Sequence, residues 1–215
     1  MLTVCWAAKG GNGTTVVSCA LALCRAIRGE SALLIDLAGD VPSVLGVAEP
    51  TSPGIHDWVA SASATLAAVD ALAVSARDGL RFVHAGAAPP RPGDARWNQL
   101  GSAFAAPPEH VIVDAGSRVG DVPHGLLQAA QHRLLVIRPC YLALRRAAAN
   151  DLTPTGVIVV HEPGRVLRAD DVALATHTPV VAEISLDPAV ARAVDAGLLG
   201  SRLPRTLESA LRGLS

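Results

Sequence analysis

Short apolar runs recur along the chain, and each is followed by a segment whose apolar residues return every three or four positions. The runs at 2–8 (LTVCWAA), 32–35, 80–85, 110–113, 133–137, 156–160 and 180–184 predict strands. Several are nearly continuous in Val, Ile and Leu, the composition of strands covered on both faces. The intervening periodicity predicts helices over 15–28, 55–62, 65–76, 94–105, 122–131, 142–150, 169–176 and 188–196. Strand–helix alternation of this kind predicts an α/β fold: three layers, with a mainly parallel β-sheet and helices on both faces. Leu203, Leu207, Leu211 and Leu214 stand at helical spacing and predict a short C-terminal helix within 201–215. Proline-rich AGAAPPRPG (85–93) and APPE (106–109) read as surface connections, too short to be linkers. One domain spanning 1–215 is expected.

Composition narrows this picture. Hydrophobic residues reach 50% but aromatics only 3%, so alanine, leucine and valine must fill the core. A formal net charge of −1 gives no bulk attraction to nucleic acid or membrane. Cys5, Cys19, Cys24 and Cys140 form no CxxC pair and sit in apolar runs, as small hydrophobes of a reducing compartment do. The N-terminus lacks a signal-type segment, and no charge-free apolar run reaches about 18 residues; a cytoplasmic protein is expected. The seven histidines make no close ligand pair, and no serine lies in a GxSxG setting, which argues against a zinc enzyme and a serine hydrolase.

The candidate chemistry lies at KGGNGTT, residues 9–15, between the first strand and the first helix. Gly10, Gly11 and Gly13 permit positive φ and close approach of anion oxygens to the backbone. The first helical amides have no internal partners, and the helix dipole favours an anion there. Lys9, Gly10, Gly11, Asn12, Gly13, Thr14 and Thr15 are therefore the phosphate-binding candidates, with the Thr15 hydroxyl placed for Mg²⁺. The usual loop GxxxxGK[ST] is not met: Ala8 stands at its first glycine and Thr14 at its lysine. Lys9 is the one lysine of the chain, against 17 arginines. Its retention inside this loop suggests a need for a compact ammonium that arginine's planar fork does not meet.

KGGNGTT resembles the deviant Walker A loop of the MinD/ParA family of P-loop ATPases, and the lysine-less variants found in the TadZ/CpaE branch that positions pilus-assembly machinery. LLIDLAGD (33–40) is similar to the family's second strand and VIVDAGS (111–117) to its Walker B strand. LLVIRPCYLALRRA (134–147), TGVIVVHEPG (155–164) and VVAEISLDPAVARAVDAGLL (180–199) resemble the later strand–helix units in order, so the resemblance spans nearly the whole chain. It implies a protein that binds ATP and Mg²⁺ and forms a homodimer through a nucleotide sandwich, with Lys9 reaching the partner's phosphates. It also implies that Thr15, Asp36 and Asp114 organise the metal and its water, and that Glu162 and Pro188 lie near the base.

Two departures bear on turnover. Ala38 occupies the position of a water-orienting aspartate, leaving Asp40 as a substitute, and Thr14 removes a cation. The expectation is a recruitment or localisation factor with weak or absent hydrolysis, held in the cytoplasm or drawn to membrane or pole by a partner such as a pilus or secretion assembly. An active partitioning or division-site ATPase and a nucleotide-free dimeric scaffold are the alternatives. Acidic residues interleave with the C-terminal arginines, which favours a solvated face over a DNA track. The C-terminal helix, short and without an interfacial aromatic, suits packing better than membrane contact.

Overall fold

The computed structural model describes residues 1–106 and 109–214. Pro107 and Pro108 of the 106–109 connection, and Ser215 at the end of the C-terminal segment, lie outside the described residues. Among the described residues eight strands form one sheet: β1 (Leu2–Trp6), β2 (Ala32–Asp36), β3 (Val74–Arg77), β4 (Leu80–Val83), β5 (His110–Asp114), β6 (His132–Ile137), β7 (Gly156–His161) and β8 (Val180–Ser185). Their order is β3-β4-β2-β5-β1-β6-β7-β8. All pairs are parallel except β3 with β4. The α/β expectation, a mainly parallel sheet covered on both faces, is met.

The described residues form ten α-helices, the last two after the final strand: α1 (Thr14–Ile27), α2 (Val41–Leu45), α3 (Ile55–Ala60), α4 (Ala68–Ala71), α5 (Arg96–Ala105), α6 (His124–Ala129), α7 (Tyr141–Ala148), α8 (Ala169–Thr176), α9 (Pro188–Asp195) and α10 (Arg205–Leu211). Alternation along β1 divides its side chains between two cores. Leu2, Val4 and Trp6 face one layer with Trp58, Trp97, Leu100, Leu126 and Val172, while Cys5 faces the other with α1, Val44, Leu207 and Leu211. The two C-terminal leucines are thus core residues of the α1 side. The Arg28 guanidinium also donates to the Arg212 carbonyl, so the final helix packs on the domain.

The structure corrects one local expectation and adds one helix. The segment 65–76 is not one helix: α4 covers four residues and β3 begins at Val74. Asp78-Gly79 then turns the chain into an antiparallel hairpin, with Arg77 opposite Leu80 and Gly79 at φ 78°, the Asp-Gly signature of a two-residue turn. Helix α2 is a further turn of helix, ended by Gly46 in the left-handed region. Its Val41 packs in the α1-side core, while Asp40 ahead of it is exposed and accepts the Val44 N–H at its backbone carbonyl at 3.0 Å.

Candidate functional site: a glycine-loop cleft at the strand ends

The carboxyl ends of β1, β2 and β5 open onto a cleft of about 660 Å³, the place where open parallel sheets bind ligands. The loop residues Gly11 to Val16 form one wall, Leu37, Ala38, Asp40 and Ser43 a second, and Ala115 to Arg118 with Asp121 a third. Gly11 and Gly13 take φ of 78° and 85°, the left-handed region that a side chain would strain. Val17 N–H, donating to the Gly13 carbonyl at 2.9 Å, makes the first α-helical bond of α1. The amides of Thr14, Thr15 and Val16 precede it and have no intrahelical acceptor, so they are free to meet an anion in the cleft.

Asn12 braces this loop. It is 2% exposed; its side-chain amide donates to the Lys9 carbonyl at 2.9 Å, and its carbonyl accepts the Arg138 N–H at 3.1 Å. The side chain therefore fastens the loop to the end of β6, and its backbone lines the cleft. Lys9 is half-buried and outside the cleft lining, its ammonium donating to the Gly10 carbonyl at 3.3 Å. Thr14 lines the cleft as a buried neutral side chain.

Asp36 and Asp114 lie side by side, paired in register at the ends of β2 and β5, and both are fully buried. The Asp36 carboxylate accepts from Ala38 N–H at 2.9 Å, Gly39 N–H at 2.7 Å and Val41 N–H at 3.1 Å, which occupies both its oxygens. Burial raises its pKa, with these three amides opposing. Asp114 differs. One oxygen accepts the Gly116 N–H at 3.2 Å, and the other is buried without a hydrogen-bond partner. Burial pushes its pKa up to about 7, the Thr15 hydroxyl pulls it down, and the Asp36 charge pushes it up. An orphaned buried carboxylate oxygen beside a hydroxyl and a second carboxylate is a donor set short of one cation. A hard divalent ion at the loop fits it.

Of the other sequence candidates, Asp40 lines the cleft and is exposed, while Glu162 and Pro188 are elsewhere. Glu162 lines a separate cleft of about 450 Å³ with His161, Arg165 and Glu183, and pairs with Arg165 at 2.8 Å. Pro188 begins α9 behind its cap, Asp187. The cleft also contains residues that sequence reasoning passed over: Ser43, Pro90, Ser117, Arg118, Asp121 and Val194. Ser117, Arg118 and Asp121 had a signal, namely polar residues directly after a strand that ends in aspartate.

With this geometry established, the comparisons place the fold. The chain superposes on a ParA family ATPase from Chlorobium tepidum with a TM-score of 0.77, at 17% identity over 97% of this chain and 95% of that one. It superposes on the MinD cell division protein of Aquifex aeolicus with a TM-score of 0.78, at 18% identity over 99% and 95%. A third neighbour is the septum site-determining protein MinD of Pyrococcus horikoshii, solved with Mg-ADP, with a TM-score of 0.75 at 15% identity over 99% and 96%. No family model and no curated protein sequence matches the chain. The class is thereby defined as the P-loop fold of the MinD/ParA ATPases.

Proposed function

We propose that this protein binds ATP with Mg²⁺ in the glycine-loop cleft and uses the bound nucleotide to form a homodimer that recruits or positions another assembly. The observation that carries the reading is the unpartnered Asp114 oxygen beside Thr15, at the foot of a loop whose first helical residues line the cleft. Thr15 would ligate the metal and Asp114 would hold its water shell. Asp36, whose oxygens are engaged by backbone amides, would act on the ion through its charge. Gly10 to Thr14 would cradle the phosphates, with Lys9 at the rim extending toward the partner subunit's nucleotide. Mg²⁺ supplies charge neutralisation on the phosphates when bound.

Hydrolysis is slow or absent in this reading. Thr14 offers no cation to the developing charge of the transition state, and losing one preorganised group costs roughly 10²–10³ in rate. Ala38 adds a second deficit by leaving no side chain to orient water at its position. The sequence likeness to the TadZ/CpaE branch supports a pilus or secretion assembly as the partner. An active partition-type ATPase is the second reading, favoured by Asp40, an exposed carboxylate lining the cleft. On either reading the protein acts in the cytoplasm or at a site to which a partner draws it; among the described residues no helix is long and apolar enough to cross a membrane.

Titration with labelled ATP and Mg²⁺, followed by sedimentation, tests this. Saturable binding with a shift from monomer to dimer is expected, together with steady-state phosphate release at or near background. Robust turnover that Asp40→Ala abolishes would establish the partition-type reading instead. No saturable binding at millimolar nucleotide would leave a nucleotide-free scaffold.

A further inference from the structure

A phosphate loop ordinarily carries a lysine at the position of Thr14, and Thr14 is a buried neutral residue lining the cleft. A triphosphate there would meet two exposed or half-buried carboxylates, Asp40 and Asp121, so the cleft needs positive charge from another element. Lys9 does not line it and donates back to its own loop at Gly10. Among the described residues that line the cleft, Arg118 is the one with a cationic side chain.

Arg118 stands close to the loop for reasons visible in the backbone. Ala7 N–H, at the end of β1, donates to the Gly116 carbonyl at 2.8 Å. The Ser117 hydroxyl oxygen lies 3.7 Å from the point a Cβ on Gly10 would occupy. The turn after Asp114 is therefore tied to the strand from which the glycine loop springs and rests on the loop's second residue. Arg118 itself is exposed, and none of the ion pairs among the described residues involves it. A guanidinium so placed is uncommitted and suited to bidentate contact with phosphate oxygens.

We propose that Arg118 is a phosphate-binding residue that replaces, from the turn after Asp114, the charge absent at position 14. The assignment rests on the nucleotide reading above and adds a ligand contact to it. It moves the cation off the rigid helix α1 and onto the turn that also carries Asp114, so one short segment would meet both the phosphates and the metal.

A double-mutant cycle on the full chain tests the exchange of charges. Affinity for labelled ATP with Mg²⁺ is measured for the parent, Arg118→Ala, Arg118→Lys, Thr14→Lys and the Thr14→Lys/Arg118→Ala pair. Arg118→Ala should raise Kd about tenfold, the scale of one charge-assisted contact, and Arg118→Lys should recover part of that loss. Thr14→Lys should restore binding in the Arg118→Ala background and gain less in the parent. The exposed position of Arg118 predicts superimposable thermal melts for the parent, Arg118→Ala and Arg118→Lys, which excludes a folding explanation, and the change at buried Thr14 is judged by comparing its single and paired variants with each other. If the parent binds and Arg118→Ala binds within twofold of it, the role of Arg118 is overturned and the nucleotide reading stands. If the parent shows no saturable binding, both fall together.

Discussion

The ends of β2 and β5 place the same residue in the same register, yet Asp36 and Asp114 face different surroundings. The chain beyond Asp36 curls back so that three amides close on its carboxylate. The chain beyond Asp114 turns away after one amide, leaving an oxygen buried and bare. Asp36 is thus satisfied within the cleft wall, and Asp114, on the proposed reading, would be the carboxylate left to meet a cation. A strand-end aspartate becomes a site residue only when the following loop leaves it unsatisfied.

The largest test of this contrast is stability. Asp36→Ala removes the acceptor for three amides and should cost about 3 kcal/mol in urea denaturation of the ligand-free protein. Asp114→Asn should instead stabilise the ligand-free protein at pH 7, by about 2–3 kcal/mol, because the neutral amide escapes the cost of burying an acid that the unfolded chain holds ionised. Equal losses would erase the distinction.

The next test is pH. With its folded pKa near 7, above the usual carboxylate value, Asp114 keeps a proton that the unfolded chain has already released. Its contribution to stability therefore falls as pH rises from about 4 to about 7 and is level above that. Between pH 5 and pH 8 it should amount to roughly 2–3 kcal/mol. His110, whose pKa is lowered by burial and by the Arg25 charge, works in the opposite direction, since its folded form sheds a proton that the unfolded form still holds. The measurement is the difference between the parent and Asp114→Asn melts across pH. A parent slope that survives the substitution would assign the effect to other groups.

The smallest effect concerns metal. Mg²⁺ should strengthen ATP binding, and Asp114→Asn or Thr15→Ala should reduce that gain about tenfold, close to 1.4 kcal/mol. Affinity measured in chelator should stay within twofold. Asp36→Asn, which removes a charge but no ligand, should lose a smaller part of the Mg²⁺ gain, about threefold, and a loss as large as that of Asp114→Asn would place Asp36 in the metal shell alongside Asp114.

Much of this architecture is legible along the chain because buried parallel strands leave continuous apolar runs, and VIVD and LLID end in their aspartates where the sheet ends. β3 escaped that logic. Val74 and Ser75 are exposed on an edge strand, so no buried stripe marks them, and only Asp78-Gly79 betrays the hairpin. In the cleft, glycine spacing announces the phosphate loop, since backbone freedom is written in residue type. Which aspartate is satisfied depends instead on how residues 37–41 fold back, a tertiary outcome with no local pattern. Arg118 was hidden for the same reason: one arginine among 17 becomes distinctive only when a turn sets it beside a loop four strands earlier in the chain. Glu162 shows the converse, a polar strand-end residue that the fold commits to a neighbouring arginine.

The buried amide of Asn12 joins the Lys9 carbonyl to the Arg138 N–H, and three residues beyond Arg138 the chain presents Tyr141, 77% exposed, at the head of α7. Two hydrogen bonds thus tie the glycine loop to Arg138 at the end of β6, three residues before this exposed ring. On the proposed reading, a loop that moved on binding nucleotide would pull on the strand end that leads to this tyrosine.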